Sequence, residues 1–202
     1  MIYEWSAQIK FHPWVGSKYN DSPRKVLLLG DSHYGEGEPY KECTQDVIQE
    51  WCINRTKPHR FFTGIIWTLF GNTEDLEKKF GKIAFYNYVQ KFMPAPRISP
   101  SKIDYEAAQK PFIEVLEKLS PNFVVTFGYA MTWHFPCTAE ENNWKKDVVN
   151  DNHDVWVSEF KIGSLNIPVY SLPHPSGRKF NMRIYFQYFS NMGLSIQNLM
   201  EE

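Results

Sequence analysis

A cluster of reactive side chains directly follows an apolar run near the start of the chain. The run Val26-Leu27-Leu28-Leu29 is typical of a strand buried on both faces. Four polar side chains come after the next residue, Gly30, and they belong to Asp31, Ser32, His33 and Tyr34. Ligands of parallel α/β sheets bind where strands end, so this cluster is a candidate site for acid–base chemistry. The alternative is an ordinary polar turn, with Asp31 or Ser32 capping the next helix.

Two further polar groups lie at the ends of apolar runs later in the chain. Asn87 lies in the run 83–89, and His174 follows the run 167–172. A buried amide must find hydrogen-bond partners, and an imidazole titrates near neutral pH. Since the carboxyl ends of parallel strands share one edge of a sheet, we expect both groups to approach Asp31. Taken singly, a histidine before a proline and an asparagine near a turn are more often structural.

The elements that must position these groups alternate along the chain, which is the pattern of a parallel sheet. The predicted strands cover residues 25–30, 83–89, 123–128 and 167–172. The predicted helices cover residues 44–51, 60–70, 104–119 and 181–200. Ser101 and Asp104 are candidates for capping the third helix. We therefore predict an α/β fold: a three-layer α/β/α sandwich around a central, mostly parallel four-stranded sheet.

Length and composition bound the domain organisation. A chain of 202 residues suffices for one domain with a full core, so we expect an N-terminal arm (1–24) packed on a single domain (25–202). The polar stretch 138–154 is expected to be a surface excursion. The net charge of −1 means that any contact with nucleic acid must use a local patch. The chain has no apolar leader and three scattered cysteines, which favours a cytoplasmic protein without disulfides or a metal site.

The order of five short segments resembles that of the uracil-DNA glycosylase superfamily. The segments are Gly30-Asp31-Ser32-His33-Tyr34, Phe62-Thr63-Gly64, Asn87 followed by Met93-Pro94-Ala95-Pro96, Ala107-Ala108-Gln109-Lys110-Pro111-Phe112, and His174-Pro175-Ser176. Together they span about residues 25–190. The iron–sulfur members of the family have cysteines near Lys91 and at Gln109. Both are absent here, so the resemblance implies a divergent member without a cluster, a metal or another cofactor.

The resemblance implies roles for the residues around a base. His174 would donate to an oxygen of the departing base, where preorganised donors have their largest effect. The amide of Asn87 would pair with the imide face of uracil and reject cytosine. Phe62 would stack on the base, and Tyr34 would close the pocket beside ring carbon five. In the water-activating position the chain has Ser32, so Asp31, one residue earlier, or His33, in place of the usual proline, would have to serve.

The resemblance also implies contacts with DNA, whose target base must leave the duplex to be reached. Ser176 would bind a phosphate, Arg178 would lie where related enzymes insert a wedge, and Lys179 would add phosphate affinity. Ser99, with Arg97 and Ser101, lies where the family's proline-rich loop pinches the backbone. The expected function is excision of uracil or another deaminated base by a monomer, with free base as the product and no membrane partner.

Two other functions stay open at this point. Gly30-Asp31-Ser32 is similar to the opening block of the GDSL esterases, with Ser32 as the nucleophile. However, residue 171 is a serine where that family has an aspartate three residues before its late histidine. The other alternative is a non-catalytic member of the glycosylase fold that binds a nucleotide or damaged DNA, and Ser32 in the water-activating position favours it.

Overall fold

Four parallel strands form the centre of the fold. The computed structural model describes residues 3–57, 59–96, 98–136 and 144–194. The strands are β2 (Val26–Gly30), β4 (Ile83–Asn87), β6 (Phe123–Phe127) and β9 (Leu165–Leu172). They pair in parallel in the order β4-β2-β6-β9, and every residue of β2, β4 and β6 is buried. The four predicted strands are therefore confirmed, as is the α/β class.

The sheet is larger than the four strands predicted from the sequence. β1 (Trp14–Val15), within the N-terminal arm, adds antiparallel to β4. At the other side, β8 (His153–Ile162) pairs antiparallel with β9, and β7 (Lys145–Asn150) pairs antiparallel with β8. The result is a mixed seven-stranded sheet, so the four-stranded prediction is wrong. Residues 145–150 of the surface excursion predicted over 138–154 do lie at the surface, but they form the strand β7, which the sequence analysis did not predict. β7 is exposed at five of its six positions, so it lacks the apolar pattern that marks a strand.

The four predicted helices are present, with shifts at their ends, and two short helices lie between them. In chain order the helices are α1 (Cys43–Val47), which continues as a π-helix (Ile48–Ile53), α2 (Arg60–Phe70), α3 (Leu76–Phe80), α4 (Lys102–Leu119), α5 (Tyr129–Thr132) and α6 (Met182–Asn191), and the two short additions are α3 and α5. The predicted cap of α4 is confirmed, because Ser101 Oγ accepts from Asp104 N–H and the Asp104 carboxylate accepts from Ser101 N–H. The last predicted helix ends at Asn191 rather than near residue 200; residues 195–202 lie outside the described range.

Two apolar cores lie on opposite faces of the sheet. Alternate residues of β2 point to different cores: Val26 and Leu28 to one, Leu27 and Leu29 to the other. The first core is completed by residues of α2 and α6, and the second by α4 and by Ile9 and Tyr19 of the N-terminal arm. This arrangement explains why β2 reads as an unbroken apolar run.

The strand register brings the candidate loops to one edge of the sheet. Gly30 at the end of β2 is paired with Asn87 at the end of β4, and Phe127 at the end of β6 with Leu172 at the end of β9. A small second sheet extends this edge, in which β3 (His33–Tyr34) pairs in parallel with β5 (Phe92–Met93). Among the described residues, no helix has the length and apolar character needed to span a membrane.

Candidate functional site

Asn87 packs directly against the backbone of Gly30. A Cβ atom built at Gly30 would lie 2.3 Å from Asn87 Oδ1 and 3.1 Å from Phe85 Cζ. Only glycine fits this position without displacing the amide. The backbone on either side is also held, since Tyr88 N–H donates to Gly30 O (2.9 Å) and Gln90 Nε2 donates to Asn87 O (2.6 Å). The amide of Asn87 is thus packed against the Gly30 backbone at the end of β4, and 4 % of the surface of the residue is exposed.

Phe62 lies on the first turn of α2, close to the same edge. Its ring centroid is 5.7 Å from that of Phe85, the residue that also contacts Gly30. Helix α2 is pressed against the loop after β9, because a Cβ atom at Gly64 would lie 2.7 Å from Pro175 Cβ. The contact brings the start of α2 beside His174 and Ser176. Phe62 itself is 5 % exposed, so its ring is almost wholly covered.

His174 is held as a neutral imidazole with a defined tautomer. Its Nδ1 lies 3.1 Å from the backbone nitrogen of Ser176, whose N–H donates to it. A ring nitrogen that accepts a hydrogen bond carries no proton, so the proton is on Nε2, which can donate to a ligand. His174 is exposed as a residue, but partial desolvation of its ring and then the proximity of His59 lower its pKa, which favours the same neutral form.

Phe61 is a part of this site that the sequence reasoning missed. Its ring is 5.1 Å from that of His174, at an interplanar angle of 32°, and 5.1 Å from that of Phe62. Unlike Phe62, it is only half-buried, so a flat ligand beside His174 would meet Phe61 before Phe62. Two successive phenylalanines at the start of a helix were the available signal, because neighbouring positions on a helix point in different directions.

Asp31 is a buried carboxyl group at the end of β2. Its Oδ2 accepts a hydrogen bond from the Tyr105 hydroxyl (3.2 Å), whereas its buried Oδ1 has no hydrogen-bond partner in the described part of the chain. Burial raises the pKa of Asp31 to about 6, and the bond from Tyr105 works against that rise. Asp31 therefore exchanges its proton close to neutral pH, as a general base requires.

The structure places His33 away from this group of side chains. Its ring packs edge-on against Phe11 (4.8 Å), its Nε2 lies 3.1 Å from Thr44 Oγ1, and it is 7 % exposed. Burial lowers the pKa of His33 to about 4, so the ring is neutral. These contacts join β3 to α1 and to the N-terminal arm, and they favour a structural role. Ser32 is half-buried, and Tyr34 is 49 % exposed at the rim of the edge.

The predicted DNA contacts lie on the surface. Ser99, Ser176, Arg178 and Lys179 are all exposed, the last three in the loop that follows β9 and carries His174. The backbone N–H of Ser176 is already used by His174 Nδ1, so a phosphate would meet its hydroxyl group. Arg97 lies outside the described residues.

The esterase constellation is not assembled. In the part of the chain that the structure describes, Ser32 has no hydrogen-bonded histidine. His153, the histidine nearest an acid in sequence, has its Nδ1 2.8 Å from the side-chain oxygen of Asn150. The neighbouring Asp154 is occupied by Tyr129 and Lys146. A nucleophile without a base in reach is not activated.

A cavity of about 950 Å³ lies at the opposite edge of the sheet. It adjoins Gly81 and Lys82, which directly precede β4, and none of the candidate residues lines it. Its lining carries charges of both signs, on Lys18, Arg55, Lys78, Lys82, Asp21, Asp75 and Glu77. A wall of mixed charge is unsuited to a neutral heterocycle, so the cavity is separate from the candidate site. Within the described ranges, no cluster of metal-ligating side chains is present.

No protein-family model and no curated protein matches this sequence. The site described above is therefore the basis for the functional assignment that follows.

Proposed function

We propose that this protein is a DNA base-excision glycosylase that hydrolyses the N-glycosidic bond of uracil or another deaminated base. The observation that carries the proposal is that a buried amide, an aromatic pair and a neutral imidazole lie at one end of the sheet and are linked through Phe85, whose ring packs against Phe62 and, like the amide, borders Gly30. The three groups are those of Asn87, the Phe61–Phe62 pair and His174, residues from three distant parts of the chain. Amide, ring and donor are the three groups that a flat base with two carbonyls requires.

In the proposed reaction, His174 stabilises the departing base. Breaking the glycosidic bond leaves the bonding electron pair on the base, and a donor aimed at a base oxygen stabilises the resulting anion. The tautomer imposed by Ser176 N–H leaves Nε2–H for this bond. The neutral imidazole can serve as this donor, because its Nε2–H is present without a further proton from solvent.

The amide of Asn87 would select the base. Its NH₂ and C=O groups pair with a carbonyl and a ring N–H, whereas cytosine would oppose like groups at both positions. Asn87 and Phe62 are 4 % and 5 % exposed, so the proposed base enters past Phe61 and His174 and must open this path. Phe61 then stacks on the base as it arrives.

The remaining candidate residues would act on the water and the DNA. Asp31, as a carboxylate, accepts a proton from the water that attacks the sugar and offsets the positive charge of the sugar. The exposed Arg178 and Lys179 supply a local basic patch for phosphates, in a chain whose net charge is −1. The proposal needs no metal or other cofactor and places a monomer in the cytoplasm, where its thiols stay reduced.

A second function, binding of a flipped or modified base without cleavage, is favoured by two observations. Asn87 and Phe62 are closed to solvent, and Ser32 stands at the position where related enzymes activate water. Such a protein would bind damaged DNA and release no base.

Single-turnover excision distinguishes the two functions. The substrates are oligonucleotides that carry uracil, hypoxanthine or xanthine, and the variants are His174→Ala and Asn87→Ala. His153→Ala is the control, because that histidine pairs with Asn150 outside the site. Release of a base by the parent and the control, with loss in both site variants, supports the glycosylase. Binding without release supports the second function. A protein that does not bind these oligonucleotides and releases no base overturns both functions.

A further inference from the structure

Tyr105 of α4 is joined to the carboxyl group of Asp31. Its hydroxyl donates to Asp31 Oδ2 over 3.2 Å, across 74 positions of sequence. Tyr105 is 3 % exposed, so the bond lies inside the protein. The other carboxyl oxygen, Oδ1, is buried and has no partner among the described residues. One oxygen of the carboxyl group is thus held, and the other is left for a ligand.

The ring of Tyr105 is itself held in place. It stacks on the ring of His134 with centroids 4.5 Å apart and an interplanar angle of 5°. The backbone carbonyl of His134 accepts from the Tyr88 hydroxyl (3.0 Å) and from Gln109 Nε2 (3.2 Å). The stack therefore connects α4 to the segment after α5 and restricts the position of the hydroxyl.

We infer that Tyr105 is a positioning residue that orients the Asp31 carboxylate toward the attacking water. The inference rests on the proposed function. In the hydrolysis, water forms a bond to the sugar carbon and gives one proton to Asp31. The carbon–nitrogen bond breaks, its electron pair leaves with the base, and the base anion later takes a proton from solvent. The Tyr105 hydroxyl stays hydrogen-bonded to Oδ2 throughout. The carboxylate that accepts the proton is therefore already oriented before the reaction begins.

Among the described residues, few charged groups act on the Tyr105–Asp31 pair. Tyr34 and Asp104 act on Tyr105 electrostatically, and Asp104 is paired with Lys91 at 2.6 Å. Burial and the Tyr105 bond are the influences on Asp31, and they act in opposite directions. Removing the hydroxyl therefore removes the stabilisation of the charged form and leaves the burial.

Tyr105→Phe tests the inference through the titration of Asp31. In protein with ¹³C-labelled aspartate, the carboxyl signal of Asp31 reports its protonation directly and does not depend on any activity. We expect its midpoint to move to higher pH in Tyr105→Phe. Relative to the parent, we expect the excision rate of Tyr105→Phe at pH 6 to fall on the order of fivefold more than it falls at pH 9, since a smaller fraction of Asp31 is ionised at pH 6 in the variant. At pH 9, loss of orientation leaves a deficit of about tenfold in the single-turnover rate, not in affinity.

Tyr19→Phe is the matched control. Tyr19 is another fully buried tyrosine, whose hydroxyl donates to Leu119 O away from the site, so its loss should leave the Asp31 midpoint unchanged. If Tyr105→Phe does not fold, His134→Ala removes the stack instead, and the midpoint should again rise.

An unchanged Asp31 midpoint in these variants overturns the inference. If the midpoint moves but the parent protein excises no base, the proposed function fails while the link between Tyr105 and Asp31 stands.

Discussion

Asn87 Oδ1 lies so near the Gly30 backbone that a side chain at residue 30 would occupy its place, with 2.3 Å between the added Cβ and the oxygen. The two residues are register partners at the ends of adjacent parallel strands. Gly30 therefore has two functions. It is the last residue of β2, and its lack of a side chain leaves the space that the Asn87 amide fills. The base-reading group of the proposed site is thus positioned by the sheet itself.

Gly30→Ala should destabilise the protein and displace Asn87. Forcing a methyl group into a packed site costs about 1–3 kcal/mol, measurable as a lower midpoint of urea unfolding. Excision should fall at the same time, because the amide no longer faces the base. Gly37→Ala is the comparison, since a Cβ there meets nothing within 4 Å and only the strain of φ +84° opposes it. Equal effects of the two substitutions on excision would contradict the role of this contact.

His174→Gln should slow excision without weakening DNA binding. Removing a preorganised donor to a developing anion costs about 10²–10³ in rate, and a glutamine NH₂ on a flexible chain recovers only part of it. The pKa of His174 is lowered, so the wild-type imidazole is neutral above pH 6.5 and its protonation should not change the rate between pH 7 and 8. Single-turnover rates at saturating enzyme test this, and an unchanged rate in His174→Ala, which has no donor at this position, would exclude the donor role.

Phe61→Leu should weaken base binding with little loss of stability. Stacking of a base on an aromatic ring is worth about 1–3 kcal/mol, and Phe61 is only half-buried. Phe62→Leu should have the reverse balance, because the 5 % exposed ring of Phe62 packs in the core. Fluorescence titration with a uracil-containing oligonucleotide and urea unfolding measure the two effects. A larger binding loss in Phe62→Leu would make Phe62 the stacking residue, as predicted from the sequence.

Asp31→Asn should raise the free energy of unfolding above that of the parent more at pH 8 than at pH 4, although it removes the proposed general base. The pKa of Asp31 is raised from 3.8 to about 6 in the folded protein. The folded state therefore holds this proton more tightly than the unfolded state, and stability is lost as pH rises from about 4 to above 6. At pH 8 this loss amounts to about 3 kcal/mol, which the asparagine variant avoids. Chemical denaturation of both proteins at the two pH values measures this difference. An equal gain in the free energy of unfolding at both pH values would rule out destabilisation by the buried charge of Asp31.

His33→Gln should make the protein more resistant to acid. The pKa of His33 is lowered from 6.5 to about 4 on folding, so below pH 6.5 the unfolded state takes up a proton that the folded state does not. The His33 imidazole therefore lowers the free energy of unfolding by up to about 3 kcal/mol as pH falls from 7 to 4. The glutamine of the variant does not titrate and has no such effect. The stability of His33→Gln should decline less than that of the parent over this range. If His33 were instead a catalytic base, excision by this variant would collapse at pH 7.

The local pattern of the sequence determined the central part of the fold. The runs at 26–29 and 123–127 are apolar because parallel strands are covered on both faces, so they can be recognised without knowing what covers them. Helix α4 is as readable, since Ser101 and Asp104 mark its start and its apolar stripe marks the buried face. Placing Gly30, Asn87 and His174 at one edge follows from the parallel order of their strands.

The tertiary structure decided what each side chain contacts. β7 is missed from the sequence because an exposed edge strand has no buried face and so no apolar alternation. His33 and Asp31 are two residues apart and equally polar in the sequence. The His33 ring packs edge-on against Phe11, whereas Asp31 accepts a hydrogen bond from Tyr105, which lies 74 positions away in the sequence. Such contacts depend on how α4 and the N-terminal arm lie across the sheet, and short-range periodicity records which face of an element is buried but not which residue buries it.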